Sequence, residues 1–192
     1  MRPRGIAAGF PILVPPTVII VNTTKNDLPL IYDLFDQSAV YQEKHGYPSW
    51  RNYDRNAIVK DIDDGHQYKI LIDGKVAIVF SVCYTDKIIW RHFDKGDSIY
   101  LHRIVGNTDF KGQRLFGVIL DWAIDHCKQN GFNCIRMDTW AANPRIVEYY
   151  KGFGFNFIEN FTTPDSDELP VHNRKLALTL LEYSIRQNRP VH

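Results

Sequence analysis

The stretch QYKILIDGKVAIVFSVCYT, residues 67–85, constrains the fold more than any other part of the chain. Two runs rich in β-branched and aromatic residues are separated by Asp73–Gly74 alone. An Asp-Gly pair between apolar runs is a strong signal for a tight hairpin, because both residues tolerate positive φ. Two neighbouring antiparallel strands therefore sit near the middle of the chain. Helical patterns lie on both sides of them, so the sheet must be shared with helices rather than stacked on a second sheet.

The flanking segments fill in the order. TVIIVN (17–22) is a short β-branched strand. Residues 27–46 place Leu30, Leu34, Val40 and Tyr41 at near-helical spacing, with Asp27 as N-cap, Pro29 in the first turn and Gly46 as the stop. An aromatic loop, YPSWRNY, precedes a second short helix over 54–66. SIYLHRIVGN (98–107) is a strand. A helix is expected over 112–130, with Phe116, Ile119, Ala123 and Cys127 on one stripe and Gly131 as its left-handed end. NCIRMDTW is a strand, and Asn143 with Pro144 opens a further helix. FNFIENFT and RKLALTLLEYSI are closing strands. The order β-α-α-β-β-β-α-β-α-β-β implies an α/β fold with a mixed sheet, not a doubly wound one. Residues 17–186 read as one domain, with a loose extension over 1–16 and a tail over 187–192. The apolar start of the chain is faintly like a secretory signal, but Pro11, Pro15 and Pro16 break it.

Bulk properties narrow the function. The net charge of +1 gives no electrostatic ground for a nucleic-acid partner. No run is long and apolar enough to span a membrane. Cys83, Cys127 and Cys134 have no metal spacing and read as free thiols of a cytoplasmic protein, so no metal is expected. Two stretches carry chemistry. DFKGQRLFGVILDWA turns from loop to helix, and the unpartnered amides of a helix start attract anions. Gly117 is followed by Val118 and Ile119, which disfavours a nucleoside-triphosphate loop, and the dinucleotide Gly-x-Gly-x-x-Gly is absent. NPRIVEYYKGFGF offers a phenol, Tyr150, able to donate a proton to a leaving group.

Together these stretches, within residues 98–159, resemble the core of the GNAT acetyltransferase superfamily. Asn143, Tyr150, Gly154 and Phe155 match its second motif. In its first, (Gln/Arg)-x-x-Gly-x-(Gly/Ala), Lys111 takes the Gln/Arg position, Arg114 the Gly and Phe116 the Gly/Ala. The resemblance implies a GNAT-like mixed, mostly antiparallel sheet flanked by helices, and acetyl-CoA as co-substrate. It implies a pyrophosphate cradle over Lys111, Gly112, Gln113, Arg114, Leu115, Phe116 and Gly117, with Asn143 and Tyr150 on the cofactor side. The pantetheine would pair beside Ile104 and Val105, where that strand splays from MDTW, and Tyr150 would protonate the CoA thiolate.

The base is open among Asp138, His102 and His172, with Glu43 and His45, just before Gly46, as further candidates. Asp138 matches a position that carries a catalytic glutamate in the similar ribosomal-protein N-terminal acetyltransferases. It otherwise reads as a surface carboxylate, or as a partner of Arg136 or Arg145. His102 titrates near neutral pH, and otherwise reads as a core histidine bonded to backbone. The acceptor side would carry Tyr41, Glu43, Trp50, Tyr53 and His172, aromatics and a carboxylate that suit a small-molecule amine. The alternative is a catalytically inactive module that binds CoA or a protein partner. The apolar closing strand would then offer a route to a homodimer.

Overall fold

A computed structural model describes residues 15–169 and 171–185, apart from the His172 side chain. All but Pro15 and Pro16 of the expected extension, and the whole tail, lie outside the described residues. The elements are β1 (Val18–Asn22), α1 (Leu28–Lys44), α2 (Arg55–Asp63), β2 (Gln67–Ile72), β3 (Lys75–Cys83), α3 (Lys87–Trp90), β4 (Ser98–Gly106), α4 (Phe116–Asn130), β5 (Cys134–Trp140), α5 (Pro144–Lys151), β6 (Asn156–Thr162) and β7 (Ala177–Ser184). The seven strands form one sheet in the order β1-β2-β3-β4-β5-β7-β6. Every neighbouring pair is antiparallel except β4 and β5. This is the mixed, mostly antiparallel sheet that the resemblance implied.

The hairpin forms as the turn chemistry requires. Asp73 and Gly74 have φ of 49° and 78°, and Ile72 faces Lys75. Strand alternation divides the core between two faces. Ile78, Phe80, Val82, Ile99 and Leu101 pack with α4 and α5 through Phe116, Ile119 and Tyr150. On the opposite face Val79 and Val105 meet Ile31, Leu34 and Phe35 of α1 and Ile58 and Ile62 of α2. A smaller cluster around Trp90, Tyr100, Leu178 and Leu180 lies under α3. The expected α4 stripe is buried in full, and Gly131 ends the helix at φ 77°.

Several expectations need correcting. Leu30, Val40 and Tyr41 of α1 are exposed, and the buried face is Ile31, Leu34, Phe35, Ala39 and Gln42. Asp27 makes no side-chain cap to α1. Its carboxylate instead accepts from Thr24 N and from Lys69 Nζ, tying the helix entry to β2. α4 begins at Phe116, not Gly112, because Gly112 and Arg114 have positive φ and cannot join a right-handed turn. The four-residue α3 carries too short a pattern to be read from sequence. β7 lies between β5 and β6, so both its edges are already paired and it offers no edge to a second copy.

Gly154 shows how tightly the α5–β6 exit is built. Its φ is 94°, and a Cβ there would stand 3.2 Å from the Tyr183 ring. Gly154→Ala is expected to cost about 1–2 kcal/mol, from the left-handed backbone and the contact combined. Urea denaturation should show a lower midpoint at unchanged slope; an unshifted midpoint would mean the exit turn relaxes freely.

Candidate active site

β4 and β5 pair over only three residues, Ser98 to Tyr100 against Cys134 to Arg136. Beyond them β5 stays paired with β7 while β4 stays paired with β3, so the two strands part. A bulge helps turn β4 away. Ser81 faces His102 and Val79 faces Val105, which leaves Arg103 and Ile104 together opposite Phe80. Arg103 has φ 52°, and its guanidinium is held by Asp61 of α2, Nε to Oδ2 at 3.1 Å. The parted strands line a cleft of about 600 Å³, with Leu101 to Ile104 on one wall and Met137 to Trp140 on the other. Ile104 borders the gap as expected. The Val105 side chain does not: it is buried on the opposite face against α1 and α2.

At the far end of β4 the chain enters the loop into α4. Asn107 accepts from Asp109 N and donates to Val76 O, which fastens the loop to β3. Lys111, Gln113 and Gly117 donate their amides to Thr108, Phe110 and Arg114 carbonyls. No side chain caps α4. Among the described residues, the amides of Gly112, Arg114, Leu115 and Phe116 meet no backbone acceptor. Four free donors at a helix start form a ready anion cradle. Arg114 keeps the left-handed backbone, φ 47°, that a glycine would adopt without strain, and a Cβ on Gly112 would meet nothing within 4 Å. The Phe116 side chain is core, packed edge-on to Tyr150 at 4.8 Å between ring centroids. Lys111 Nζ lies 5.9 Å from the Tyr41 ring, linking loop and α1.

Three ionisable side chains meet at the gap, His102 and Asp138 lining it and Asp86 standing behind them. His102 Nε2 stands 3.4 Å from Asp86 Oδ2, and its Nδ1 stands 3.9 Å from Asp138 Oδ1. These Nε2 and oxygen atoms are shielded from water and make no hydrogen bond, the kind of unsatisfied group that marks catalytic sites. Asp138 is not a surface carboxylate, with 17% of its side chain exposed. Nor is it the partner of Arg136, which donates to Glu182 Oε2 at 2.8 Å and to Phe93 O at 2.6 Å. His102 faces carboxylates rather than backbone. Burial alone would lower its pKa, but Cys83, Asp86 and Asp138 around it hold it well above the ordinary histidine value. Burial and the Asp86 charge push Asp138 upward against the pull of His102 and Arg103. Asp86, His102 and Asp138 offer ligand atoms within 4.8 Å of one another, although no cysteine or histidine spacing announces such a set.

Tyr150 lines the same cleft. Burial, then Tyr149 and Asp138, raise its pKa above the ordinary phenol value, so it keeps its proton at neutral pH. Asn143 is spent in part as the cap of α5, its Oδ1 accepting from Ile146 N at 3.3 Å. Of the residues expected on an acceptor side, Tyr41, Trp50 and Tyr53 line the cleft. Trp50 also stacks on Phe35 and meets Trp140 edge-on at 6.0 Å, while Tyr53 donates to Tyr32 O at 3.3 Å. Glu43 is turned away, ion-paired with Arg51 on the surface. The His172 side chain lies outside the described residues. In the loop between β6 and β7, Asp165 pairs with Lys175 and Asp167 with Arg174. Sequence reasoning did not single out Asp86, Trp140 or Tyr149, and met Arg145 only as a possible partner of Asp138; Trp140, Arg145 and Tyr149 line the cleft. Only Tyr149, next to Tyr150 on an already flagged helix, carried a signal.

With this geometry in hand, known proteins give a consistent comparison. Residues 29–155 match the model of the acetyltransferase (GNAT) family. The Bacillus subtilis protein YesJ, described as an uncharacterized N-acetyltransferase, is 26% identical over 140 residues, covering 69% of this chain and 78% of its own. A GNAT-family acetyltransferase from Streptococcus agalactiae superposes with a TM-score of 0.69 at 21% identity, over 87% of this chain and 95% of that one. The structure of yncA from Salmonella typhimurium, solved with its cofactor acetyl-CoA, superposes at 0.61 and 15% identity, over 91% and 96%. Among the described residues no helix is long and apolar enough to cross a membrane. With two thirds of its length matched by that model and the parted β4–β5 sheet in place, the chain belongs to the GNAT acetyltransferase family.

Proposed function

We propose that the protein transfers an acetyl group from acetyl-CoA to the primary amine of a small molecule. The meeting of His102, Asp138 and Tyr150 in the β4–β5 gap, beside a cradle of free amides, carries this reading. The pyrophosphate would rest on the amides of Gly112, Arg114, Leu115 and Phe116, with the Lys111 and Arg114 charges close by. The pantetheine arm would run along β4 at Ile104, taking backbone bonds that β5 does not use. A cleft of about 600 Å³ suits a small acceptor. The rings of Tyr41, Trp50 and Tyr53 can hold its ammonium by cation–π contact, and Asp138 supplies the counter-charge.

The proton steps follow from the placement. His102 Nδ1 takes one proton from the acceptor ammonium. The freed amine attacks the thioester carbonyl carbon, and the C–N bond forms as the C–S bond breaks. Tyr150 gives its phenol proton to the departing thiolate and recovers one from the acetylated nitrogen. The products are an amide, free CoA and one proton, which leaves His102 for solvent. A base held above the usual histidine pKa is matched to an ammonium proton better than an ordinary carboxylate is.

Two measurements test this. Tyr150→Phe is expected to lower kcat about 100-fold with KM for acetyl-CoA changed less than about threefold. Unchanged turnover would remove Tyr150 from the mechanism, and acetyl-CoA binding without turnover on a broad amine panel would favour a CoA-binding module. The second is the pH profile. A base must be neutral to act, and the His102 pKa is raised, so kcat/KM should fall as pH drops through a midpoint above 6.5. A midpoint below that value would rule His102 out as the base.

A further inference from the structure

Asp86 is a buried acid that the proposed mechanism does not yet use. It precedes α3, and its Oδ1 accepts from Ile89 N at 3.2 Å as the helix N-cap. Its own amide donates to Asp94 Oδ2 at 2.9 Å, so the residue is held from both sides. Capping accounts for Oδ1 but not for Oδ2. That second oxygen has no hydrogen bond and points at His102 Nε2, 3.4 Å away. A serine or an asparagine would cap as well without burying a charge. Asp86 is not among the residues that line the cleft, whereas His102 and Asp138 are. Any effect of Asp86 on the reaction must therefore pass through the cleft residues it reaches, His102 at 3.4 Å and Asp138 through its charge.

Resting on the reading of His102 as the base, we propose that Asp86 is its positioning residue. Its carboxylate keeps a proton on Nε2, which leaves the Nδ1 lone pair facing Asp138 and the cleft. An acid behind a histidine fixes its tautomer and orientation and stabilises the imidazolium once the proton arrives. The charged and titratable groups facing the ring are Cys83 from β3, Asp86 from the turn before α3 and Asp138 from β5. Of these, Asp86 approaches Nε2 and Asp138 approaches Nδ1.

Asp86→Asn separates the two roles of the residue, because asparagine caps a helix as well as aspartate does. Asp86→Ser also caps and serves if the amide is not tolerated. The His102 ring is titrated by NMR in the intact protein without substrates, and steady-state kinetics with acetyl-CoA and an amine follow. The expected result is a His102 pKa at least one unit lower, a tenfold change in proton affinity. With it, kcat should fall at least tenfold at constant KM for acetyl-CoA, and the acid limb of kcat/KM should move to lower pH. An unmoved His102 titration with unchanged kcat would reduce Asp86 to a cap and overturn the proposal while leaving the base reading intact. A lowered His102 pKa with unchanged kcat and unmoved limb would overturn both, because the ring would respond to Asp86 without taking part in the reaction.

Discussion

The short parallel ladder between β4 and β5 is the constraint on which the rest of this molecule depends. Three residue pairs hold the strands together, and then each strand commits to its other neighbour. A sheet interior normally leaves no backbone group without a partner. Here the gap opens at one end only, walled by well-paired strands and covered by helices on both faces. The bulge at Arg103 bends β4, and the ion pair to Asp61 anchors that left-handed residue to α2. Opening the gap exposes His102 and Asp138 to the same space, and α5 delivers Tyr150 to it.

The loop into α4 answers a second constraint, the need for free amides. Lys111 stands at the Gln/Arg position of the family motif and Arg114 and Phe116 at its small-residue positions, yet among the described residues the loop leaves the amides of Gly112, Arg114, Leu115 and Phe116 without a backbone acceptor. Arg114 adopts the left-handed conformation with an ordinary side chain, at a cost of about 1–2 kcal/mol. Its guanidinium lies 5.1 Å from the Phe153 ring, an attractive contact that offsets part of that cost. Phe116 closes the aromatic cluster behind the cradle, where a glycine would leave a void beneath Tyr150. In this chain the loop and the core beneath it have been fitted to each other.

Turns and caps were legible in the sequence, apart from the Asp27 cap and the start of α4, and long-range assembly was not. The Asp73–Gly74 hairpin, the Asn143 cap and the Gly131 stop each depend on a few adjacent residues, so each could be read directly. The buried face of α1 could not. That helix carries apolar residues on two overlapping stripes, and only packing on Val79 and Val105 selects Ile31 over Leu30 and Phe35 over Val40. Apolar β7 reads alike as an edge or an interior strand, and the pairing with β5 and β6 decides it. His102, Asp138 and Tyr150 were singled out one by one. Their meeting, and the presence of Asp86 behind them, arises from four separate segments, β4, β5, α5 and the turn before α3, brought together by the fold. Glu43 looked like a pocket acid, but Arg51 claims it.

The most direct test of this account is a calorimetric titration of the protein with acetyl-CoA, with free CoA alongside. A parted sheet and a cradle of free amides predict micromolar binding, about −8 kcal/mol, for both ligands. Absence of binding at millimolar acetyl-CoA would contradict it, because the gap and the loop would then hold no cofactor.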